Sequence, residues 1–249
     1  MENGRFIYGY NDWDEKVGSD DNEETRIFLN PQTWAVMSDI LTDEQKQVAM
    51  DAVEKRLRCD YGYMLQDTPF TKPNDHLGRI TYFEPGVFVN GSDYNHGVMF
   101  KVVADCCCGR GDNAWNTLKI NRYDNPKNDN SGVEPYAVSN KYFGPSAINK
   151  KGYAPLSWIT GSAGWMYRAI VEFILGIKPD FNGLKIAPCL PTSWNGAMVS
   201  RNFRGVKYNI QLIPASENKL VVDGKEVEGN IVPLFENGSE HTVVYYYAK

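Results

Sequence analysis

Apolar positions change their period twice along the chain. Between Asn30 and Leu57 they recur at helical spacing, first as Trp34, Val36 and Met37, then as Val48, Ala52, Val53 and Leu57. A stripe of that kind is what a helix needs to bury one face. Asn30 followed by Pro31 reads as an N-cap and first helical residue. Thr42 to Gln45 reads as a capping box, with Asp43 and Glu44 in the first turn of a second helix. Tyr94 to Cys108 is helical and mainly apolar, Gly109 to Asp112 breaks the pattern, and Asn113 to Tyr123 resumes it as an amphipathic helix. Thr160 to Leu175 carries the strongest stripe (Trp165, Met166, Ala169, Ile170, Phe173, Ile174), stopped by Gly176 and Pro179. Residues 1 to 29 predict irregular structure with short strands. Two stretches without helical period, Cys59 to Asn90 and Asp124 to Ser157, predict long connections, and long loops often carry function.

After Gly183 the period shortens to that of strands: Leu184 to Ile186, Met198 to Phe203, Val206 to Ile213, Leu220 to Val222, Ile231 to Leu234 and His241 to Tyr247. Arg204-Gly205, Asp223-Gly224 and Asn237-Gly238 lie between or beside these runs, where hairpin turns require residues that tolerate positive φ. About five helices on alternating short and long connections have the rhythm of stacked helical hairpins. The expected fold is therefore mostly α. Residues 1–182 form part of an α/α toroid, an incomplete six-hairpin barrel, and residues 183–249 form a small antiparallel β-sandwich.

Composition narrows the function. The 249 residues are 42% hydrophobic and 23% charged, as in ordinary globular proteins. A net charge of -5 and a pI of about 5.3 argue against nonspecific binding to nucleic acid or to an anionic membrane. No window approaches a membrane span, and Met1 to Lys16 is polar rather than signal-like, so the expected location is the cytoplasm. Five cysteines, three of them consecutive at Cys106 to Cys108, make neither a disulfide framework nor a zinc pattern. They read as reduced, packed thiols, and no metal or organic cofactor is expected. Fifteen Tyr, eleven Phe and six Trp offer faces suited to sugars, although core packing uses the same residues.

Four segments in collinear order carry a resemblance: NPQTWAVMSD at Asn30 to Asp39, the stretch from Asn90 to Trp115 beginning NGSDYNHG, EPYAVSN at Glu134 to Asn140, and the stretch from Ser157 to Pro191 beginning SWITGSAGW. Together they resemble the C-terminal half of glycoside hydrolase family 94, which includes the cellobiose and chitobiose phosphorylases. The resemblance covers roughly residues 6 to 213. It implies an α/α barrel with flanking β-domains and a reaction that splits a β-glycosidic bond with inorganic phosphate as co-substrate, inverting the anomeric centre. Ordinary inverting hydrolases use two carboxylates, one of them to activate water. Phosphate is already anionic, so one carboxyl and a phosphate cradle suffice.

The resemblance assigns His96 to phosphate. It assigns Thr160 and Gly161 to a second phosphate element where the long apolar helix begins, since a helix N-terminus is a ready anion site. Asn140 matches a position that is often Gln, keeping donor and acceptor with a shorter reach. Phe88 and Val89 stand where relatives often carry Lys-Glu, a change on the acceptor side. Glu84, Asp93, Tyr94 and Trp158 are lesser candidates for lining the sugar pocket. Trp165 is expected in the core, in phase with Met166, Ala169 and Phe173, and His76 and His241 carry no motif. No catalytic residue is identified: the family's general acid precedes the matched region, and Asn11-Asp12-Trp13 has similar letters in the wrong order.

Three readings follow. The chain is the phosphate-binding part of a phosphorylase acting on a β-linked gluco-oligosaccharide, partnered by a complementary N-terminal half or by further copies of itself. Or it is a non-catalytic carbohydrate- or phosphate-binding fragment. Or it is a small hydrolase using Glu84 and Asp93, which none of the motifs requires.

Overall fold

A computed structural model describes residues 1–248. Contacts divide the chain into two compact units, one made of residues 1–108 and 113–166, the other of 109–112 and 167–249.

Helices α1 (Leu29–Met37), α2 (Asp43–Leu57) and α3 (Asn95–Cys107) form the centre of the first unit, with α1 packed on both others. Leu29, Val36, Met50, Val53, Leu57, Val98, Met99 and Val102 are completely or almost completely buried there. The Thr42 capping box is present in full: its side chain accepts from the Gln45 backbone, and the Gln45 side chain accepts from the Thr42 backbone. The predicted cap of α1 is not: α1 begins at Leu29 after Phe28, without a side-chain cap. The Asn30 carboxamide oxygen turns instead toward Gly97 of α3, 3.1 Å from where a Cβ would sit. Nine of the thirteen residues of α3 are buried, including Lys101 and Asp105, which pair at 2.7 Å. Helix α4 (Gly111–Ile120) starts two residues earlier than the sequence pattern indicates.

Two-residue ladders tie the loops of this unit together: β1 (Gly9–Tyr10) with β2 (Lys16–Val17), β3 (Ile27–Phe28) with β6 (Gln66–Asp67), β4 (Arg58–Cys59) with β5 (Gly62–Tyr63), and β7 (Asp93–Tyr94) with β8 (Lys141–Tyr142). The last has Asp93 opposite Tyr142 and Tyr94 opposite Lys141.

Helix α5 (Ser162–Arg168) runs directly into a π-helical turn, Ala169–Ile174. The Leu175 N–H donates to the Ile170 carbonyl at 2.8 Å, five residues back. The regular helix expected from Thr160 to Leu175 is thus α for seven residues and π for six.

The second unit has a three-stranded sheet in the order β15 (Ile231–Pro233), β10 (Gly183–Ile186), β9 (Ile177–Asp180). A five-stranded sheet runs β11 (Ala197–Phe203), β12 (Val206–Ala215), β16 (Glu240–Ala248), β13 (Lys219–Val222), β14 (Lys225–Val227). Both sheets contribute to one core, with Leu184, Val232, Tyr208, Ile210 and Val243 buried together. Arg204-Gly205 and Asp223-Gly224 have positive φ at both positions, the type I′ geometry that joins β11 to β12 and β13 to β14. The sandwich is not wholly antiparallel, because β12 and β16 pair parallel at its centre. The alternation of apolar residues specifies which face a strand buries, not which neighbour it takes. With five α-helices beside sixteen short or medium strands and no closed barrel among the described residues, the expectation of a mostly α chain is not met.

Candidate phosphate and sugar site

His96 is the second residue of α3, at the end where backbone N–H groups lack partners within the helix. Its half-buried ring stacks against Phe100 at a centroid distance of 6.0 Å and an angle of 13°, and lies 5.7 Å from the ring of Tyr94. Nε2 is 2.6 Å from the position a Cβ on Gly161 would occupy. Two residues 65 positions apart therefore meet in a space that only glycine leaves open.

The loop opposite is shaped by Thr160. Its hydroxyl oxygen accepts from the Ser162 backbone N–H at 2.9 Å and lies 2.6 Å from the Ser162 hydroxyl. Gly161 supplies the carbonyl for the first helical bond, from the Trp165 N–H at 3.2 Å. That leaves the amides of Ala163 and Gly164 without intrahelical acceptors. Gly161, Ala163 and Gly164 are all exposed, so small residues keep the way to these amides clear.

Asn140 joins the two sides. Its carbonyl accepts from the N–H of Asn95, the neighbour of His96, at 3.1 Å. Its side-chain NH2 donates to the carbonyl of Ile159, the neighbour of Thr160, at 2.9 Å. The carboxamide oxygen is buried without a partner. The structure thus brings all four residues assigned to phosphate into one neighbourhood.

The sugar candidates separate. Tyr94 lies against His96. Trp158 is 73% exposed, and its indole N–H donates to Glu134 at 3.1 Å. Hydrogen bonds from Ser157, first, and Trp158 hold the Glu134 carboxyl below the usual range, so it is an anion at neutral pH. Glu84 is exposed and pairs with Lys150 at 3.4 Å, away from any contact with His96 or Gly161 in the described residues. Asp93 is fully buried. Its Oδ2 accepts from the Asn121 amide at 3.4 Å, Oδ1 has no partner, and burial holds its pKa well above the ordinary aspartate value. A carboxyl with no exposed surface does not line an open pocket. Trp165 also departs from expectation: half-buried, it sits edge-on to Phe100 at 4.8 Å, in the same aromatic cluster that carries His96.

Sequence reasoning missed the amide network under this site. Asn95 donates to the Ser139 carbonyl at 2.9 Å and hydroxyl at 2.6 Å, and Asn121 donates to the Asn95 side-chain oxygen at 3.0 Å. Asn95 and Ser139 lie in segments the motifs cover and Asn121 outside them, and nothing in their spacing marks them as partners. It also missed Lys141. Among the described residues no group of three or more His, Cys, Asp or Glu could hold a metal, and no helix is long and apolar enough to cross a membrane.

Within the first unit His96, Thr160, Gly161 and Asn140 therefore converge on one candidate anion site. Residues 1–176 match the family described as "Glycosyl hydrolase 94 superfamily, catalytic domain", and the chain belongs to that family. It is similar to the solabiose phosphorylase of Paenibacillus borealis, 40% identical over 96% of this chain and 32% of that protein. It is also similar to the 3-O-β-D-glucopyranosyl-β-D-glucuronide phosphorylase of the same organism, 36% identical over 97% of this chain and 32% of that protein. The N,N'-diacetylchitobiose phosphorylase of Vibrio proteolyticus is 34% identical over 98% of this chain and 31% of that protein. The chain spans about a third of the length of these relatives.

Proposed function

We propose that this chain supplies the phosphate-binding side of an inverting glycoside phosphorylase, which converts a β-linked gluco-disaccharide or oligosaccharide and inorganic phosphate into a sugar 1-phosphate and a shorter sugar. Its helical unit is then part of an α/α toroid. The observation that supports this reading above all is the meeting of His96 Nε2 with the open position at Gly161. The imidazole, the Thr160 hydroxyl and the free amides at the start of α5 present donors from two sides to one oxyanion, with no carboxylate required.

In the reaction a phosphate oxygen attacks the anomeric carbon on one face of the ring while the glycosidic oxygen leaves on the other. The leaving oxygen takes a proton from a carboxyl group. That donor is assigned to none of the 249 residues: Asp93 is buried, and Glu84 is separate from the cradle. No metal or organic cofactor enters the scheme. Tyr94 and the exposed Trp158 supply aromatic faces for sugar rings.

The test is release of sugar 1-phosphate from a panel of β-linked disaccharides in phosphate buffer, by the chain alone and with the N-terminal two thirds of a relative added. Turnover that requires phosphate and is lost in His96→Ala supports the reading. Release of free sugars without phosphate overturns it. Phosphate binding without turnover in either sample points to a non-catalytic binding fragment.

A further inference from the structure

A largely buried lysine without a counter-ion lies beside this site. Lys141 is 7% exposed. Its Nζ sits 4.7 Å from the centre of the Phe88 ring and 5.7 Å from that of Tyr94. No carboxylate lies within ion-pair distance, and the ammonium makes no hydrogen bond among the described residues. Burial alone, with no compensating charge, holds its pKa below the usual lysine value. Two cation–π contacts are weak compensation for that desolvation.

The β7–β8 ladder explains the missing counter-ion. Asp93, a buried acid, is one residue from Lys141's cross-strand partner Tyr94, yet successive side chains in a strand point to opposite faces. Tyr94 and Lys141 share one face, Asp93 and Tyr142 the other. The fold thus holds an acid and a base in adjacent ladder positions without letting them neutralise each other. Lys141 is directed to the face where Tyr94 meets His96. The next residue, Asn140, carries a buried carboxamide oxygen that also lacks a partner. Phe88, beside the ammonium, is 40% exposed, so this face is open to solvent.

The geometry points to Lys141 as the cation of an oxyanion subsite flanked by Phe88 and Tyr94. The ligand is an oxyanion, and the anionic oxygen belongs either to phosphate or to the carboxylate of an acidic sugar. This rests on the phosphorylase reading only for the identity of the ligand; the unpaired charge stands without it.

The test is titration calorimetry of inorganic phosphate, glucuronate and glucose into the purified chain, into Lys141→Met, which keeps a straight side chain over Phe88, and into Lys141→Arg, which keeps the charge. Losing a buried charge partner predicts at least a tenfold weaker affinity of Lys141→Met for one oxyanion. Glucose binding should be unchanged and Lys141→Arg should recover part of the loss. Weakening of glucuronate alone identifies an acidic sugar, and weakening of phosphate alone makes Lys141 part of the cradle. Unchanged affinity for both anions, or an equal loss for glucose, overturns the inference. His96→Ala run alongside separates the two readings: if it binds phosphate normally while Lys141→Met loses glucuronate, the cradle fails and the subsite stands.

Discussion

The imidazole of His96 occupies the space that a side chain at Gly161 would need, with Nε2 2.6 Å from the absent Cβ. Gly161 does not have a left-handed backbone, so alanine is forbidden there by the neighbour and not by its own φ. Gly161→Ala should push the ring off its stack on Phe100 and weaken phosphate binding about tenfold or more. The loop is exposed, so the melting temperature should hardly move, as for surface changes worth about 0.5 kcal/mol or less. Phosphate titration and thermal melts on one sample check both halves of this statement.

Asn140→Ala removes the hydrogen bond that ties the residue before β8 to the Ile159 carbonyl. A single such bond contributes about 1 kcal/mol to stability. The expected result is a small loss of stability with a larger loss of phosphate affinity, because the Thr160 loop is no longer held against α3. Equal, small effects on both would mean that Asn140 is only a tether.

Asp93 gives a pH signature. Its folded-state pKa is raised by burial, so its contribution to stability is complete below the unfolded value of about 3.9 and is lost as pH rises through the folded value. Asp93→Asn keeps the shape and removes the charge. The variant should gain on the wild type in melting temperature between pH 4.5 and pH 8. A difference that stays constant across that range contradicts the assignment.

Lys101 is the opposite case, a buried lysine with its partners in place. Burial works against its charge, but Asp105, Tyr63 and Glu54 outweigh that and raise its pKa. It pairs with Asp105 at 2.7 Å, donates to Thr117 at 2.8 Å and lies under the ring of Tyr63. Lys101→Met removes the charge paired with the buried Asp105 carboxylate and should cost about 3–5 kcal/mol, read as a large drop in the denaturant midpoint. A loss below about 1 kcal/mol would show that the network is not closed.

Much of this is legible in the sequence alone. The Thr42 to Gln45 box and the Asp223-Gly224 turn are local, set by residues within reach of one another, and both appear as the sequence implies. The residues assigned to phosphate could be named because the motifs around them are dense, although only the fold brings residues 96, 140 and 160 together. What was hidden depends on partners distant in sequence. Asn30 turns to Gly97 instead of capping α1, and β16 takes β12 as a parallel neighbour. Asp93 and Lys141 belong to opposite faces of a ladder whose register no local pattern reveals.

The most direct test of the cradle is calorimetric titration of inorganic phosphate into the purified chain beside His96→Ala. One saturable site in the wild type, weakened at least tenfold in a variant that melts at the same temperature, is the result expected. Wild-type protein that takes up no phosphate, or a His96→Ala variant that binds it equally well, would contradict the account.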